Sequence, residues 1–351
     1  MMRHLIFILL TSLALQAAAQ SENESPERSF RYMFYNVENL FDTEDDTEKN
    51  DQEFLPNEGK FWNKYRYKDK LFKIYQVITA VGGWKSPEII GLCEIENRKV
   101  LEDLISRTPL YNAGYKIIHF ESPDSRGIDV GLLYRESAFE PLIQAKIPVR
   151  FPGNQRSTRD ILYVKGVVYS VDTIHVYVNH WPSRWGGQLE TEEKRMRAAS
   201  VLRKHVDSVF YADKNPNILI SGDLNDYPDN KSLTENLRAK TENYDKARNE
   251  LLYNLSYYLQ FSKKQGSHKY HGEWGVLDQL IVSGNFLNKS QTLQTSLDHA
   301  SVFMEDFLYE DDEKYTGKIP NRTYIGYRYH GGFSDHLPVY IDFFKNEKLA
   351  D

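Results

Sequence analysis

Apolar residues recur along this chain with two different periods. Between Tyr65 and Val81 they fall at helical spacing, with Leu71, Ile74, Tyr75 and Ile78 on one face, which predicts an amphipathic helix. A longer helix is predicted over Thr191 to Phe210, where Met196, Ala199, Leu202 and Val206 share a face. Strand-like runs surround the helices. They are Phe30 to Tyr35, the continuous apolar run Ile89 to Cys93, Val130 to Tyr134, Leu162 to Tyr169, Thr173 to Val178, Ile218 to Ile220, Gln279 to Val282 and Val339 to Phe343. Many strands with a few long helices between them predict a mixed α and β fold. No Pro/Gly/Ser-rich linker and no internal repeat divides the chain, so one domain is expected over 30–345, followed by a tail at 346–351. Ser296 to Tyr329 reads as a long excursion before the last strand, and the acidic stretches Glu44 to Asp51 and Glu310 to Glu313 read as solvated loops.

The N-terminus has a different pattern. A short basic start, the apolar stretch Leu5 to Leu15 and the triplet Ala17, Ala18, Ala19 predict a secretory signal peptide cut after Ala19, with a polar leader over 20–29. A membrane-spanning helix would need roughly 20 apolar residues, so no stable membrane insertion is expected, and the protein is expected to be secreted or periplasmic. Cys93 is the one cysteine, so no intramolecular disulfide can form. The net charge of −6 argues against tight passive binding of nucleic acid through a basic face. It leaves room for an enzyme in which bound divalent cations supply the positive charge locally.

Candidate chemistry sits where strands end. Asn36 follows the first strand in Tyr-Asn-Val-Glu-Asn, and Glu94 closes the buried run Ile-Ile-Gly-Leu-Cys-Glu. A hard cation such as Mg²⁺ favours oxygen ligands and retains much of its water, so a Glu with an Asn nearby makes an adequate site. Ser-Gly-Asp-Leu-Asn puts Asp223 and Asn225 two positions apart, on one side of an extended backbone, where they could hold a water and a phosphate oxygen together. Asn-His-Trp-Pro-Ser-Arg places His180 and Arg184 after an alternating strand, and both side chains suit charge developing on a phosphoryl group. Asp278 leads into an apolar strand and needs a partner, for which His336 in Ser-Asp-His-Leu-Pro is the natural candidate. A carboxylate beside an imidazole stabilises the imidazolium formed when the ring takes a proton from water.

Taken in order from Arg31 to Phe343, these segments resemble the endonuclease/exonuclease/phosphatase family, which includes pancreatic-type deoxyribonucleases. The resemblance implies an α+β fold, a four-layer α/β sandwich of two packed mixed β-sheets flanked by helices, with the site in a cleft at one end. It implies that Asn36 and Glu94 hold the metal and that Glu38 lies near a second one. It further implies that Asp223 and Asn225 hold the water and phosphate, that His180 stabilises the phosphate, and that Asp278 with His336 forms the general-base pair. Asp335 would be a metal ligand or a support. Asp129 stands in for the carboxylate that pairs with the site histidine, and Arg159 falls where deoxyribonucleases carry a phosphate-contacting arginine. Glu96 replaces an arginine of those enzymes, which weakens the likeness in backbone-phosphate contact.

The expected activity is hydrolysis of phosphodiester bonds by direct water attack with one or two Mg²⁺ or Mn²⁺ ions. An extracellular or periplasmic nuclease is the first reading, because Trp181 and Trp185 flank Arg184 and aromatic rings beside cations suit base stacking. A phosphatase or phosphodiesterase acting on lipid or sugar phosphates is the second, and a non-catalytic binding module the third. Nothing in the sequence points to a protein partner.

Overall fold

A computed structural model of the chain describes residues 30–153 and 157–346, so the expected signal peptide, the leader and nearly all of the tail lie outside the described residues. The first sheet contains β1 (Phe30–Leu40), β2 (Ile89–Ile95), β3 (Tyr115–His119) and β4 (Asp129–Arg135). The second contains β5 (Phe139–Ile147), β6 (Ile161–Val168), β7 (Asp172–His180), β8 (Asn217–Asp223), β9 (Ala239–Lys240) and β10 (Leu252–Asn254). A hairpin of β11 (His268–Tyr270) and β12 (Glu273–Gly275) follows, and β13 (Asp278–Ser283) returns to the second sheet. β14 (Leu293–Gln294) and β15 (Ala300–Val302) join the first sheet. The excursion then folds into two hairpins, β16 (Tyr309–Asp311) with β17 (Lys318–Pro320) and β18 (Tyr324–Ile325) with β19 (Arg328–Tyr329), before β20 (Val339–Lys345) closes the first sheet.

Each large sheet is built on a parallel pair, β1 with β2 and β7 with β8, and each pair is bridged by a long helix. Helix α1 (Lys64–Gly82) links the first pair; Asn63 caps it by accepting from Tyr65 and Arg66 N–H, and Gly83, at φ 65°, ends it. Helix α2 (Arg98–Ser106) follows β2, and α3 (Gln188–Ala212) links β7 to β8. The inner faces of both sheets share one apolar core, in which Tyr32, Phe34 and Leu92 of the first meet Val176, Val178, Leu219 and Leu280 of the second. The outer face of the second sheet, with Tyr177, Ile218 and Ile220, packs under Ala198, Ala199, Leu202 and Val206 of α3. Helices α1 and α2 cover the first sheet, so the chain is an α+β sandwich in four layers.

The expected elements form, α2, β3 and β5 appear beside them without having been expected, and two differences are informative. β1 runs on through Asn36 to Leu40 instead of stopping at Tyr35, because its pairing with β2 slips between Asn36 and Leu40 and the strand continues past the irregularity. β5 has no counterpart among the expected strands; it is an edge strand broken by Pro141, with Leu142 and Ile143 exposed, so its sequence carries neither alternation nor a buried run.

Candidate active site

Register gathers the site. In the second sheet His180 at the end of β7 pairs with Asp223 at the end of β8, and Asp223 pairs with Asp278 at the start of β13. Three polar residues therefore stand side by side on adjacent strands. Gly222 permits this packing, because a Cβ there would strike the Asn179 carbonyl of β7 and its φ of 152° suits only glycine. In the first sheet the ladder breaks after Asn36 and after Cys93. Glu38, Glu94 and Asn225 all take left-handed backbone conformations, at φ 51°, 62° and 52°. Such conformations cost of order 1–3 kcal/mol when the residue is not glycine, and they cluster where function dictates side-chain direction.

The side chains converge on Asp223. Its Oδ2 lies 3.1 Å from Asn36 Nδ2, 3.7 Å from His180 Nε2 and 3.8 Å from His336 Nε2. Asn36 Nδ2 also reaches Glu94 Oε1 at 3.4 Å, which in turn lies 3.9 Å from His180 Nε2. His336 Nδ1 meets Asp278 Oδ2 at 2.7 Å, and the Asn225 N–H donates to Asp223 Oδ1 at 3.0 Å. Asn36 presents its N–H groups to the two carboxylates while its oxygen accepts from Glu38 N–H, so it joins Glu94 and Asp223 in one network.

Burial and charge act on each group. Burial raises the proton affinity of Asp223 above the ordinary carboxylate range; His336 opposes this, and Asp278 adds to it. Burial works against a charged His336, but Asp278 and Asp223 outweigh it and hold its pKa well above that of an ordinary histidine. Burial, with Arg159 and Arg126 nearby, pushes His180 well below 6.5 and favours the neutral imidazole; its Nδ1 is buried without a hydrogen-bond partner among the described residues. Ligating atoms of Asp223, Asp278 and His336 lie within 4.8 Å of one another, as do those of His268, Asp335 and His336. The two carboxylates of the first group and the carboxylate of the second could take part in holding a divalent cation, whose charge would relieve the repulsion between Asp223 and Asp278.

Residues 32–345 match the endonuclease/exonuclease/phosphatase family over nearly the full described length. The chain belongs to that family. Solved structures agree on the fold at low sequence identity. A family protein from Bacteroides thetaiotaomicron is 12% identical, covers 94% of this chain and 99% of its own, and superposes with a TM-score of 0.56. The mannosyl-6-phosphatase of the same organism is 14% identical, with 90% and 99% covered and a TM-score of 0.56. The human Nocturnin catalytic domain with bound sulfate is 16% identical, with 92% and 97% covered and a TM-score of 0.54. No curated protein matches the chain. Members of the endonuclease/exonuclease/phosphatase family are hydrolases acting on phosphoester bonds, and the chain has this phosphoesterase fold.

Within the family frame, the excursion before β20 contributes directly to the site, which the sequence did not signal. Glu38 accepts from the N–H groups of Thr323 and Tyr324 at 2.6 and 3.4 Å, and Arg322 bridges it to Asp335, at 3.3 and 2.8 Å. Burial and Asp335 raise the Glu38 pKa, and the buried Lys70 beneath them is pushed down to about 8 by its desolvation. The His268 ring lies tilted 4.7 Å from that of His336 and is pushed down to about 4 by burial and by its neighbour. A signal for Lys70 exists, since it occupies the buried α1 face with Tyr67, Leu71 and Ile74. His268 has none, because it lies in a short hairpin strand.

Four expected roles do not fit the geometry. Arg159 is buried, with its guanidinium donating to the carbonyls of His180 and Trp181 and to Asp124, so it holds the loop under His180 instead of facing a phosphate. Trp181 is 1% exposed and packs into the core beneath α3, its N–H given to Asn179, so no base can stack on it. Arg184 lies over the Tyr227 ring and bonds the Asn225 carbonyl, Asp226 and Asn230; it braces the loop that carries Asn225. Asp129 faces His119, with Nε2 and Oδ2 3.3 Å apart, and not His180. In each case a polar group at a strand end found a closer partner in the protein than the cleft offers. Glu96 accepts from the Asp42 N–H at 2.6 Å and is raised to about 8 by burial.

Proposed function

We propose that the chain is a divalent-metal-dependent phosphodiesterase that cleaves by direct attack of water. The observation that carries this reading is the His336–Asp278 pair, 2.7 Å long, whose free Nε2 faces Asp223 beside Glu94. Once His336 is deprotonated, above its raised pKa, a water lodged against Asp223 and the Asn225 backbone would pass its proton to His336 Nε2, and Asp278 would offset the imidazolium charge. Neutral His180, protonated on Nε2, would donate to a phosphoryl oxygen. Glu94 and Asp223, with support from Asn36 and Asp335, would hold Mg²⁺ or Mn²⁺. When bound, the ion polarises the phosphoryl group and offsets charge on the leaving oxygen.

An oligonucleotide is the first substrate to test, with Trp185, 86% exposed, as the remaining aromatic surface for a base. Sugar or lipid phosphoesters are the second, favoured by the burial of Trp181 and the net charge of −6. Incubation with plasmid DNA, RNA and a panel of sugar and lipid phosphoesters, each with and without EDTA, decides between them; an absence of metal-dependent cleavage across the panel sinks the reading. The basic start, apolar stretch and alanine triplet support export to the periplasm or medium, and cell fractionation tests it. No helix among the described residues is long and apolar enough to cross a membrane.

A further inference from the structure

Glu38 and Asp335 form an acidic corner of the cleft whose charge is already met from within the chain. Both oxygens of Glu38 are engaged: Oε2 accepts the Thr323 N–H at 2.6 Å, and Oε1 takes Arg322 Nε at 3.3 Å and the Tyr324 N–H at 3.4 Å. Asp335 gives Oδ2 to Arg322 Nη2 at 2.8 Å. Below them Lys70 of α1, 1% exposed, fixes its Nζ on the Thr323 hydroxyl and the Phe333 carbonyl at 2.5 and 2.7 Å. Burial favours the neutral form of each carboxyl, and Arg322 and Lys70 oppose it at both. Two carboxylates therefore face two cations.

This balance does not fit a second metal ion beside Glu38, where the resemblance to deoxyribonucleases would put one. Such an ion would find both Glu38 oxygens taken and would be repelled by a guanidinium and an ammonium held at the same carboxylates. The neighbouring seat has the reverse balance. Glu94, Asp223 and Asp278 gather around the imidazole of His336, and burial with the Asp278 and Glu94 charges raises the Asp223 pKa. Charge calls for one divalent ion there and for none at Glu38.

Arg322 has the features of a cation that acts in the absent ion's stead. Its backbone is pinned, because its carbonyl accepts the Gly332 N–H at 3.0 Å and the next N–H, that of Thr323, is given to Glu38. Burial works against its charge, but Asp335, Glu38 and Glu94 outweigh it and hold its pKa above that of an ordinary arginine. Nε and Nη2 are spent on the two carboxylates. Nη1 makes no hydrogen bond among the described residues, and the side chain is 40% exposed, so this nitrogen has surface to offer. Ligating atoms of Asp335, His268 and His336 lie within 4.8 Å of one another, which puts Arg322 one carboxylate away from the base.

We propose that Arg322 is a catalytic residue that takes the place of a second metal ion: the cleft holds one divalent ion, and the free Nη1 of Arg322 donates to a phosphoryl oxygen as negative charge builds on it. The proposal rests on the phosphoesterase reading and deepens it, by fixing the metal count and naming the cation that completes the site.

The test uses the full chain as wild type, Arg322→Gln and Arg322→Lys, each with a native circular dichroism spectrum. Mn²⁺ bound after equilibrium dialysis is read by electron paramagnetic resonance, in which spin coupling marks two ions held in one cleft and separates them from ions scattered over the surface. The wild type should hold one ion in the cleft, without coupling. Arg322→Gln keeps a donor for the carboxylates and loses the charge. It should lower kcat/KM on any cleaved phosphoester about 100-fold, the cost of one preorganised donor, and should admit a second, coupled ion. Arg322→Lys keeps the charge without the planar fork, so it should hold one ion and stay within about tenfold of wild type. An arginine that only held the excursion in place would leave the ion count unchanged in all three. A coupled pair or no ion in the wild type, an unchanged count or near-normal kcat/KM in Arg322→Gln, or an equal loss in both variants overturns the proposal. If no phosphoester is cleaved at all, the phosphoesterase reading fails, and the ion count alone decides. One ion in the wild type and a coupled pair in Arg322→Gln keep Arg322 as the occupant of the second seat; any other count removes it.

Discussion

His336 Nδ1 and Asp278 Oδ2 lie 2.7 Å apart although 58 positions separate them in the chain. The same β8–β13 register that seats Asp278 opposite Asp223 leaves the other imidazole nitrogen facing Asp223. General-base catalysis contributes about 10²- to 10⁴-fold, so His336→Ala is expected to lower kcat by that factor while circular dichroism retains the native signal. Asp278→Asn keeps the shape and removes the charge that raises the His336 pKa. A base must be neutral to accept a proton, so the acidic limb of the kcat–pH profile should move to lower pH in this variant. A limb that stays put, measured on any cleaved phosphoester, would dissolve the pair as a catalytic unit.

Metal removal gives the second prediction. Burial and the neighbouring Asp278 and Glu94 charges raise the Asp223 pKa, which marks a site short of positive charge. Dialysis against EDTA should abolish hydrolysis, and Mg²⁺ at about 100 times its Kd should stabilise the fold by about 2.7 kcal/mol. Glu94→Gln should reduce that gain, read as the Mg²⁺-dependent rise in the thermal midpoint. An unchanged rise would take Glu94 out of the ligand set.

Much of this geometry was legible because strands and chemistry share a signature. A carboxylate abutting a buried apolar run has few ways to be solvated, and Glu94, Asp223 and Asp278 each stand at such a boundary; His336 lies three positions before β20. Partners set by tertiary contact were not legible. Nothing local says that Arg159 turns back to the His180 carbonyl, or that Arg184 settles on Tyr227. Arg322 and His268 enter the site from segments without long periodic elements, where the pattern of apolar residues carries no information about direction.

Away from the cleft, His175 in β7 makes stability depend on pH. It is 6% exposed, shares a 2.8 Å hydrogen bond with the Tyr163 hydroxyl, and is pushed down to about 4, chiefly by burial. The unfolded chain binds this proton near 6.5 and the folded chain only near 4, so the contribution is whole above 6.5 and is lost as pH falls toward 4. Between pH 7 and 4.5 the loss is about 2–3 kcal/mol at most. His175→Phe should cost about 1 kcal/mol at pH 7, by leaving the Tyr163 hydroxyl without its partner. It should then lose about 2 kcal/mol less than wild type on acidification. Urea unfolding of both proteins at the two pH values checks this, and parallel losses would contradict it.

A buried ion pair ties α3 to the loop after β8 and supplies the last prediction. Arg195 Nε lies 2.8 Å from Asp226 Oδ1, in ion-pair contact but not aligned as a hydrogen bond, and the two side chains are 0% and 2% exposed. Arg195 also donates to the Thr191 hydroxyl and the Gln188 carbonyl, and Asp226 Oδ2 accepts from Ser232 at 2.6 Å. Asp226 immediately follows Asn225, so the pair fixes the turn that aims Asn225 and Asp223. Removing one partner of a buried pair costs about 3–5 kcal/mol because the other charge is left stranded. Arg195→Met should therefore destabilise the protein by up to about that amount, less what Arg184, 3.4 Å from the same Asp226 oxygen, still offsets, whereas Arg195→Met/Asp226→Asn should recover much of the loss, since neither member of the buried pair remains charged. Stability and activity need not recover together: the neutral pair no longer braces the turn, so kcat should stay depressed in the stabilised double variant. Chemical denaturation and kinetics on the three proteins separate the effects, and a double variant as unstable as Arg195→Met would show that the arginine acts through packing rather than charge.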